Sequence, residues 1–398
     1  MSYGAAVLDG LELAVVLAWV CGMLAVAAGV LAVHRFAARP TEPPAARPPV
    51  TVLKPLCGDE PRLDEALVSV CRQAYPAFQI VFGVHDAEDP ALHAVRRLQA
   101  RFPDCDIAIA VNQAMHGQNR KICNLINMLP WAKHDVLVCS DSDLHLPPDY
   151  LDRLVAALEV PETGLVTTLC VGLPTAPGLG ARLGAMQISY LFLPGALMGR
   201  ALGRQDCLGT TMALRRETLA RVGGLQALVR HLADDNVLGQ LVRRLGLRVG
   251  LADTVPATAV PEPSIGLVWS HELRWARTIR ALEPLGFAAS ALQFPLFWAM
   301  LAGVLSAGSG WSLGLFAAAL ALRAAAARHI GRTLARRRGA PMTPAPIWLM
   351  PLRDLLSVAE IAASFLGGRV NWRGHALFAD RGPAPASGPA PYLDEAAD

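Results

Sequence analysis

Four groups of polar residues have the types and spacing that chemistry requires. Asp141-Ser142-Asp143 follows the apolar run Asp135–Ser140, and in an extended chain its two odd positions project to the same side. Two hard carboxylates so placed can hold Mg²⁺ or Mn²⁺ against a diphosphate, although a solvated loop uses the same three letters. Asp234-Asp235 opens a helical pattern through Val237–Leu245. The pair either caps that helix and complements its dipole, or supplies a general base, because adjacent carboxylates can take opposed pKa shifts. His85-Asp86-Ala87-Glu88-Asp89 follows the run Ile80–Val84, so Asp86 is a turn aspartate or a contact to a nucleobase or ribose at a strand end. In the segment Ser270–Arg277, His271, Arg274 and Trp275 share one helical face by their i, i+3, i+4 spacing, a face that also suits an interfacial membrane anchor.

These groups need a frame, and the residues between them supply one. Short β-rich runs alternate with helical patterns: Val50–Lys54 then Leu63–Arg72, Gln79–Val84 then Ala91–Arg101, Ile107–Val111 then Lys121–Leu129, and Val136–Cys139 then Pro148–Leu158. Such alternation predicts parallel βαβ units in a layered α/β fold, with ligands at the carboxyl ends of the strands. Three of the four polar groups fall at or near such ends.

The composition places this frame beside a membrane. Of the 398 residues 53% are hydrophobic and only 17% are charged, against about 25% charged in ordinary soluble proteins. The formal net charge of +3 is too balanced for a nucleic-acid binder, and the eight cysteines are scattered without a C-x-x-C pair, which favours reduced thiols over a disulfide framework or zinc site. Leu13–Val33 carries no charge and is long enough to span a hydrocarbon core of about 30 Å. Arg35, Arg39 and Arg47 come directly after it, so the positive-inside rule puts the middle of the chain in the cytoplasm. Leu285–Leu322 is a second charge-free stretch, interrupted at Ser306–Gly310, and is expected to form two helices joined by a tight turn. Ile347–Leu366 is apolar but contains Arg353, Asp354 and Glu360, so it reads as a third span with buried charges or as a re-entrant or interfacial helix.

Taken in order, these segments resemble the lipid-directed glycosyltransferases of the GT-A fold, specifically the ceramide glucosyltransferase-like family (family 21, close to family 2). The resemblance rests on Thr51–Pro61, the strand end at Asp86, Asp141-Ser142-Asp143, the stretch around Asp235 and an (H/Q/R)-x-x-R-W box at His271–Trp275. Within the family, the wording around Asn119-Arg120-Lys121, His231–Asp235 and His271–Arg280 looks most like the bacterial hopanoid-associated transferases, which are thought to use UDP-GlcNAc and bacteriohopanetetrol. His271 and Asn236 depart from the commoner family residues at their positions.

The resemblance implies an α/β GT-A domain with a mostly parallel central sheet, flanked by N- and C-terminal transmembrane helices. It implies a multi-pass enzyme of the bacterial inner membrane whose partners are a UDP-sugar donor, a hopanoid or ceramide acceptor and the bilayer, with Mg²⁺ or Mn²⁺ as cofactor. Asp235 would be the catalytic base, and Asp141 and Asp143 would hold the metal. Lys54, Pro55, Asp86, Lys121, Asp141 and Arg274 would bind the donor, and Asp234, His271 and Trp275 the acceptor. The expected organisation is a transmembrane helix in residues 1–36 and a cytoplasmic catalytic domain over 37–283, with interfacial helices at about 178–204 and 264–281. Two transmembrane helices over 284–322, a basic loop and third transmembrane or re-entrant segment over 323–378, and a disordered tail at 379–398 complete it. A catalytically inactive GT-A scaffold and a transporter built on the Arg353-Asp354-Glu360 cluster are the readings from other classes.

Overall fold

The computed structural model describes residues 3–372 and 375–378; the tail expected at 379–398 lies outside the described residues. The chain opens with helix α1 (Tyr3–Ala38) and then enters an α/β layer through a proline-rich stretch. That layer begins as β1 (Val50–Pro55), α2 (Leu63–Cys71), β2 (Phe78–Val84), α3 (Ala91–Arg101), β3 (Asp106–Val111), α4 (Arg120–Met128) and β4 (Val136–Ser140). It continues through β5 (Leu144–His145), α5 (Tyr150–Glu159), β6 (Thr163–Thr167), β7 (Val171–Pro174), α6 (Leu179–Gln187), a π turn at Ile188–Phe192 and α7 (Leu193–Ala201). The second half comprises β8 (Thr211–Arg215), α8 (Arg216–Arg221), α9 (Asp234–Arg244), β9 (Arg248–Leu251), β10 (Ala257–Val260) and α10 (Ile265–Leu282). After these come α11 (Pro284–Ala289), α12 (Pro295–Leu305), α13 (Gly310–Arg338), α14 (Met350–Ser364) and a hairpin of β11 (Arg369–Trp372) and β12 (His375–Phe378).

Seven strands form one sheet in the order β3-β2-β1-β4-β8-β6-β9. The first four are parallel, as the strand and helix alternation requires, and β8 runs antiparallel to both β4 and β6. The centre of the sheet is covered on both faces, so β1 and β4 are buried along almost their whole length rather than at alternate positions. A smaller sheet, β5-β10-β7, starts immediately after Asp143 and sets the carboxyl end of β4 against β10. The apolar core on one side of the large sheet takes Leu67, Val95, Leu151 and Leu154, and that on the other side Ile122, Leu125, Leu238 and Val242.

Among the described residues two helices are long and apolar enough to cross a bilayer, over Leu8–Ala38 and Gly310–Arg338. The expected partner of the second, in the first half of Leu285–Leu322, is not a straight helix. Pro284–Gln293 and Pro295–Leu305 meet at a 70° bend, where the ring of Pro295 removes a backbone donor and ends the first piece. The second helix also runs further than its apolar stretch, continuing past Leu322 through Arg338. It does so because Arg323 is not a terminator: its guanidinium is buried and bonds the equally buried Asp354 at 2.8 Å.

The segment 347–366 forms a 15-residue helix, α14, shorter than the roughly 20 residues that a span needs. Its charges do not line a path; Arg353, Asp354 and Glu360 are buried in ion pairs with α10, α13 and one another. Residues 178–204, expected as interfacial, pack against both the α/β layer and the long apolar helices. Leu183, Met186, Tyr190, Leu193 and Leu197 join Val33 and Phe36 of α1 and Ile330 and Leu334 of α13 in one apolar cluster. This helix is therefore the joint between the α/β layer and the membrane helices.

Candidate active site

The site is assembled at the carboxyl ends of β1 and β4. These strands pair in parallel, Leu53 opposite Cys139, which places Lys54 beside the turn after β4. The Lys54 side chain is fully buried and its Nζ donates to the Asp141 carbonyl oxygen. Burial pushes this ammonium down to about 8, against the pull of Asp143, Asp141 and Glu60. Pro55, the last residue of β1, is half-buried at the strand end.

Asp141 is held from two sides: its N–H donates to the Thr210 carbonyl at 3.1 Å, and Lys121 Nζ lies 2.7 Å from its Oδ1. Asp143 Oδ2 accepts from Thr258 Oγ1 on β10, and Ser142 Oγ donates to Glu60 Oε2. Burial, reinforced by the negative charge of Asp141 and then of Glu60, pushes the Asp143 carboxyl up to about 6. These hard carboxylate oxygens, crowded enough that Asp141 and Glu60 raise the proton affinity of Asp143, suit a divalent cation. Among the described residues no three His, Cys, Asp or Glu side chains form a closed ligand set. Mg²⁺ is commonly held by one or two carboxylates, with substrate phosphates and water completing the shell.

The N-terminus of α4 connects this cluster to the second acidic pair. Asn119 caps α4, its Oδ1 accepting from Ile122 N–H at 3.1 Å, while its Nδ2 donates to the His231 carbonyl and to Asp234 Oδ1. Two residues on, Lys121 Nζ donates to the Gly209 carbonyl at 3.1 Å. Burial opposes the charge on Lys121, but Asp141, Asp234 and Asp235 outweigh it and raise its pKa.

Asp234 is buried, with one oxygen, Oδ2, lacking any partner. Asp235 Oδ1 accepts from the Asn236 N–H at 2.7 Å. Its Oδ2 faces Gly209 so closely that a Cβ there would sit 2.9 Å away. Burial, followed by the charge of Asp234, pushes the Asp235 carboxyl up to about 7, while Lys121 pulls it down. A carboxyl poised near neutrality at the mouth of a cationic and anionic cluster can accept a proton from a hydroxyl.

Asp86 does not join the cluster. It heads an exposed turn, its Oδ1 accepting from the Glu88 N–H at 3.0 Å. The turn is tied to the loop after β1 by Asp89, whose Oδ1 accepts from the Gly58 N–H at 2.9 Å, so Asp86 borders the site from the neighbouring strand.

The face of α10 predicted from spacing is present. His271 and Trp275 rings meet edge to face at 4.5 Å, and the Arg274 guanidinium carbon lies 5.9 Å from the Trp275 ring centroid. His271 Nδ1 is 2.5 Å from Glu262 Oε1. Burial raises the Glu262 carboxyl, but the bond to His271 and the charges of His271 and Arg274 outweigh it and leave it below its ordinary value. Glu262 follows β10, whose Thr258 bonds Asp143, so one short strand links the box on α10 to the D-x-D turn.

Several participants lie outside the motifs or, like Glu60 within Thr51–Pro61, have no sign of their own in them. Glu60, Gly209, Thr258 and Glu262 matter through contacts across 115 residues or fewer of sequence, which spacing does not reveal. Asn119 alone had a local signal, as an asparagine directly before a helical run.

The family description Glycosyl transferase family 21 matches residues 17–384. Ceramide glucosyltransferase 1 of Caenorhabditis elegans is 23% identical over 253 residues, 63% of this chain and 54% of that protein. Ceramide glucosyltransferase of Candida albicans is 31% identical over 121 residues, 27% of this chain and 22% of that protein. The chain thus spans about half or less of the curated relatives it matches. A mannosyltransferase from Pyrobaculum calidifontis, solved with GDP-Man and Mn²⁺, superposes with a TM-score of 0.52 at 22% identity, covering 89% of this chain and 99% of that one. At that identity the likeness concerns the GT-A fold.

Proposed function

Because the chain belongs to glycosyl transferase family 21, we propose that it moves a sugar from a nucleoside diphosphate donor to the hydroxyl of a membrane lipid, in one displacement that inverts the anomeric carbon. The observation that carries this reading is Asp235, pushed up to about 7 and joined through Gly209 and Lys121 to the Asp141 turn. Base and diphosphate site then stand on opposite ends of one short bridge.

In this mechanism Asp235 takes the proton of the acceptor hydroxyl as its oxygen attacks C1 of the sugar. The charge of Asp234, whose carboxylate accepts from Asn119, adds to burial in raising the basicity of Asp235. Lys54, Lys121 and Arg274 supply positive charge for the departing diphosphate, the electrostatic contribution that usually dominates such a transfer. Asp141 and Asp143 would hold Mg²⁺ or Mn²⁺, which when bound neutralises the leaving group's charge. Asp86, at the neighbouring strand end, would meet the uridine, and Asp234, His271 and Trp275 would line the acceptor side. The membrane helices on the same chain would deliver a lipid acceptor, and the arginines at the ends of α1 and α13 favour a catalytic domain in the cytoplasm, at a bacterial inner membrane.

The donor assigned is UDP-GlcNAc and the acceptor bacteriohopanetetrol, supported by the wording of the His231–Asp235 and His271–Arg280 segments. The similarity to ceramide glucosyltransferases favours UDP-glucose and ceramide as the second reading. Detergent-purified protein incubated with each donor and each lipid, with EDTA or Mn²⁺, separates them by product mass. A hexosamine added to the hopanoid, only with metal, supports the first reading; glucosylceramide supports the second; no product in any pairing overturns both.

A further inference from the structure

The outer face of α13 changes character abruptly. Ala327, Ile330, Leu334 and Arg338 form its inward face. On the opposite face the exposed positions are apolar from Trp311 through Ala321 to Ala325, and then become Arg328, Arg332 and Arg336 at i, i+4, i+8. Trp311 and Arg328 stand about 26 Å apart along the helix at about 1.5 Å per residue, close to the roughly 30 Å of a hydrocarbon core. A tryptophan at one rim and an arginine at the other is how a span is anchored at both interfaces. The one charge inside that interval, Arg323, faces inward onto Asp354.

Helix α1 places a cation of its own at the same depth. The His34 ring of α1 lies 5.7 Å from the His329 ring of α13, so the exposed Arg35 stands level with Arg328. Arg328, Arg332 and Arg336 have no carboxylate partner among the described residues. Their end of the helix is the one fixed to the α/β layer, where Arg338 bonds the Phe36 and Asp253 carbonyls.

We infer that Arg328, Arg332 and Arg336, with Arg35 beside them, form a docking stripe for the headgroups of anionic phospholipids on the leaflet next to the catalytic domain. The occupant is fixed by charge complementarity and by depth: exposed guanidiniums without a carboxylate partner among the described residues, just beyond an apolar face of bilayer length, meet lipid phosphates. This rests on α13 as a span and not on the sugar-transfer reaction, so the two can fail separately.

The test uses the full chain, purified in neutral detergent and titrated with dioleoylphosphatidylglycerol or dioleoylphosphatidylcholine, with bound lipids counted by native mass spectrometry. Wild-type protein should retain the anionic lipid preferentially, and the combined variant R328Q/R332Q/R336Q should lose the preference, at roughly fivefold per arginine. The variant R328K/R332K/R336K should keep most of it. Equal retention of both lipids by wild type overturns the inference, as does an undiminished preference in a monodisperse glutamine variant. Should the glutamine variant not fold, salt decides: a preference that falls as NaCl rises supports the stripe, and one that does not overturns it. Displacement of the lipid by inorganic phosphate at constant ionic strength would make the stripe a free-phosphate site and would also overturn it.

Discussion

Lys121 Nζ stands 2.7 Å from Asp141 Oδ1 and 3.1 Å from the Gly209 carbonyl, so one ammonium ties the D-x-D turn to the strip of backbone that covers Asp235. Its charge acts in two directions. It holds Asp141 in place, and it lowers the proton affinity of Asp235. Lys121→Met should therefore weaken donor binding and move the acid limb of the pH–rate profile to higher pH, because Asp235 would hold its proton longer. Calorimetric UDP titration and kcat/KM against pH measure the two effects; a limb that stays in place would remove Lys121 from the control of Asp235.

With Asp235 as the proposed base, the Asp234–Asp235 pair should set the pH dependence of wild type. A base must be deprotonated to act, so with Asp235 near 7 the rate should fall about tenfold per pH unit below that value and level off above it. The limb belongs to the pair, since the two carboxyls titrate together. Asp235→Asn should cost about 10²–10⁴ in kcat and leave UDP affinity nearly unchanged. Near wild-type turnover in this variant would transfer the role of base elsewhere.

Gly209→Ala isolates position from charge. A Cβ at this site would lie 2.9 Å from Asp235 Oδ2, so the carboxyl must shift. Displacing a reacting group by about 1 Å can cost about 10²-fold, and a drop in kcat of that order is expected with a Tm close to wild type. Unchanged kcat would mean that Asp235 has room the structure does not give it.

The ion pairs behind α10 should dominate stability rather than chemistry. Arg353 is fully buried, with Nη2 2.8 Å from Glu272 and 2.9 Å from Glu360. Arg353→Met leaves two buried carboxylates facing each other and should destabilise the protein by about 3–5 kcal/mol, read as a lowered Tm in detergent. A variant as stable as wild type would show that the carboxylates share a proton without help from the guanidinium.

The sequence shows the frame well and the site in part, for different physical reasons. Strands β1 to β4 and helices α2 to α5 are close to their expected bounds because burial on both faces of a parallel sheet leaves unbroken apolar runs between polar turns. The face of His271, Arg274 and Trp275 follows from helical periodicity alone. Hidden from sequence are the partners that orient these groups: Thr258 meets Asp143 only because β10 pairs with β5, and Glu262 meets His271 only because α10 folds back after β10. The bend at Pro295 and the extension of α13 beyond Leu322 escaped for a related reason. A charge such as Arg323 ends a span only when it lacks a partner, and its partner Asp354 is 31 residues away.

The bond between Glu272 and Arg353 joins the residue next to His271 to one 81 positions later. A ribosome releases these halves at different times. Until α14 emerges, after both of the long apolar helices, Glu272 has no guanidinium and α10 lacks the support on which its outer face depends. Completion of the α10 face that carries His271 and Trp275 should therefore be a late event in synthesis, coming after the two long apolar helices have been made. A chain stopped after residue 346 should insert normally and still be cut by added protease within 265–282, where the full-length protein resists.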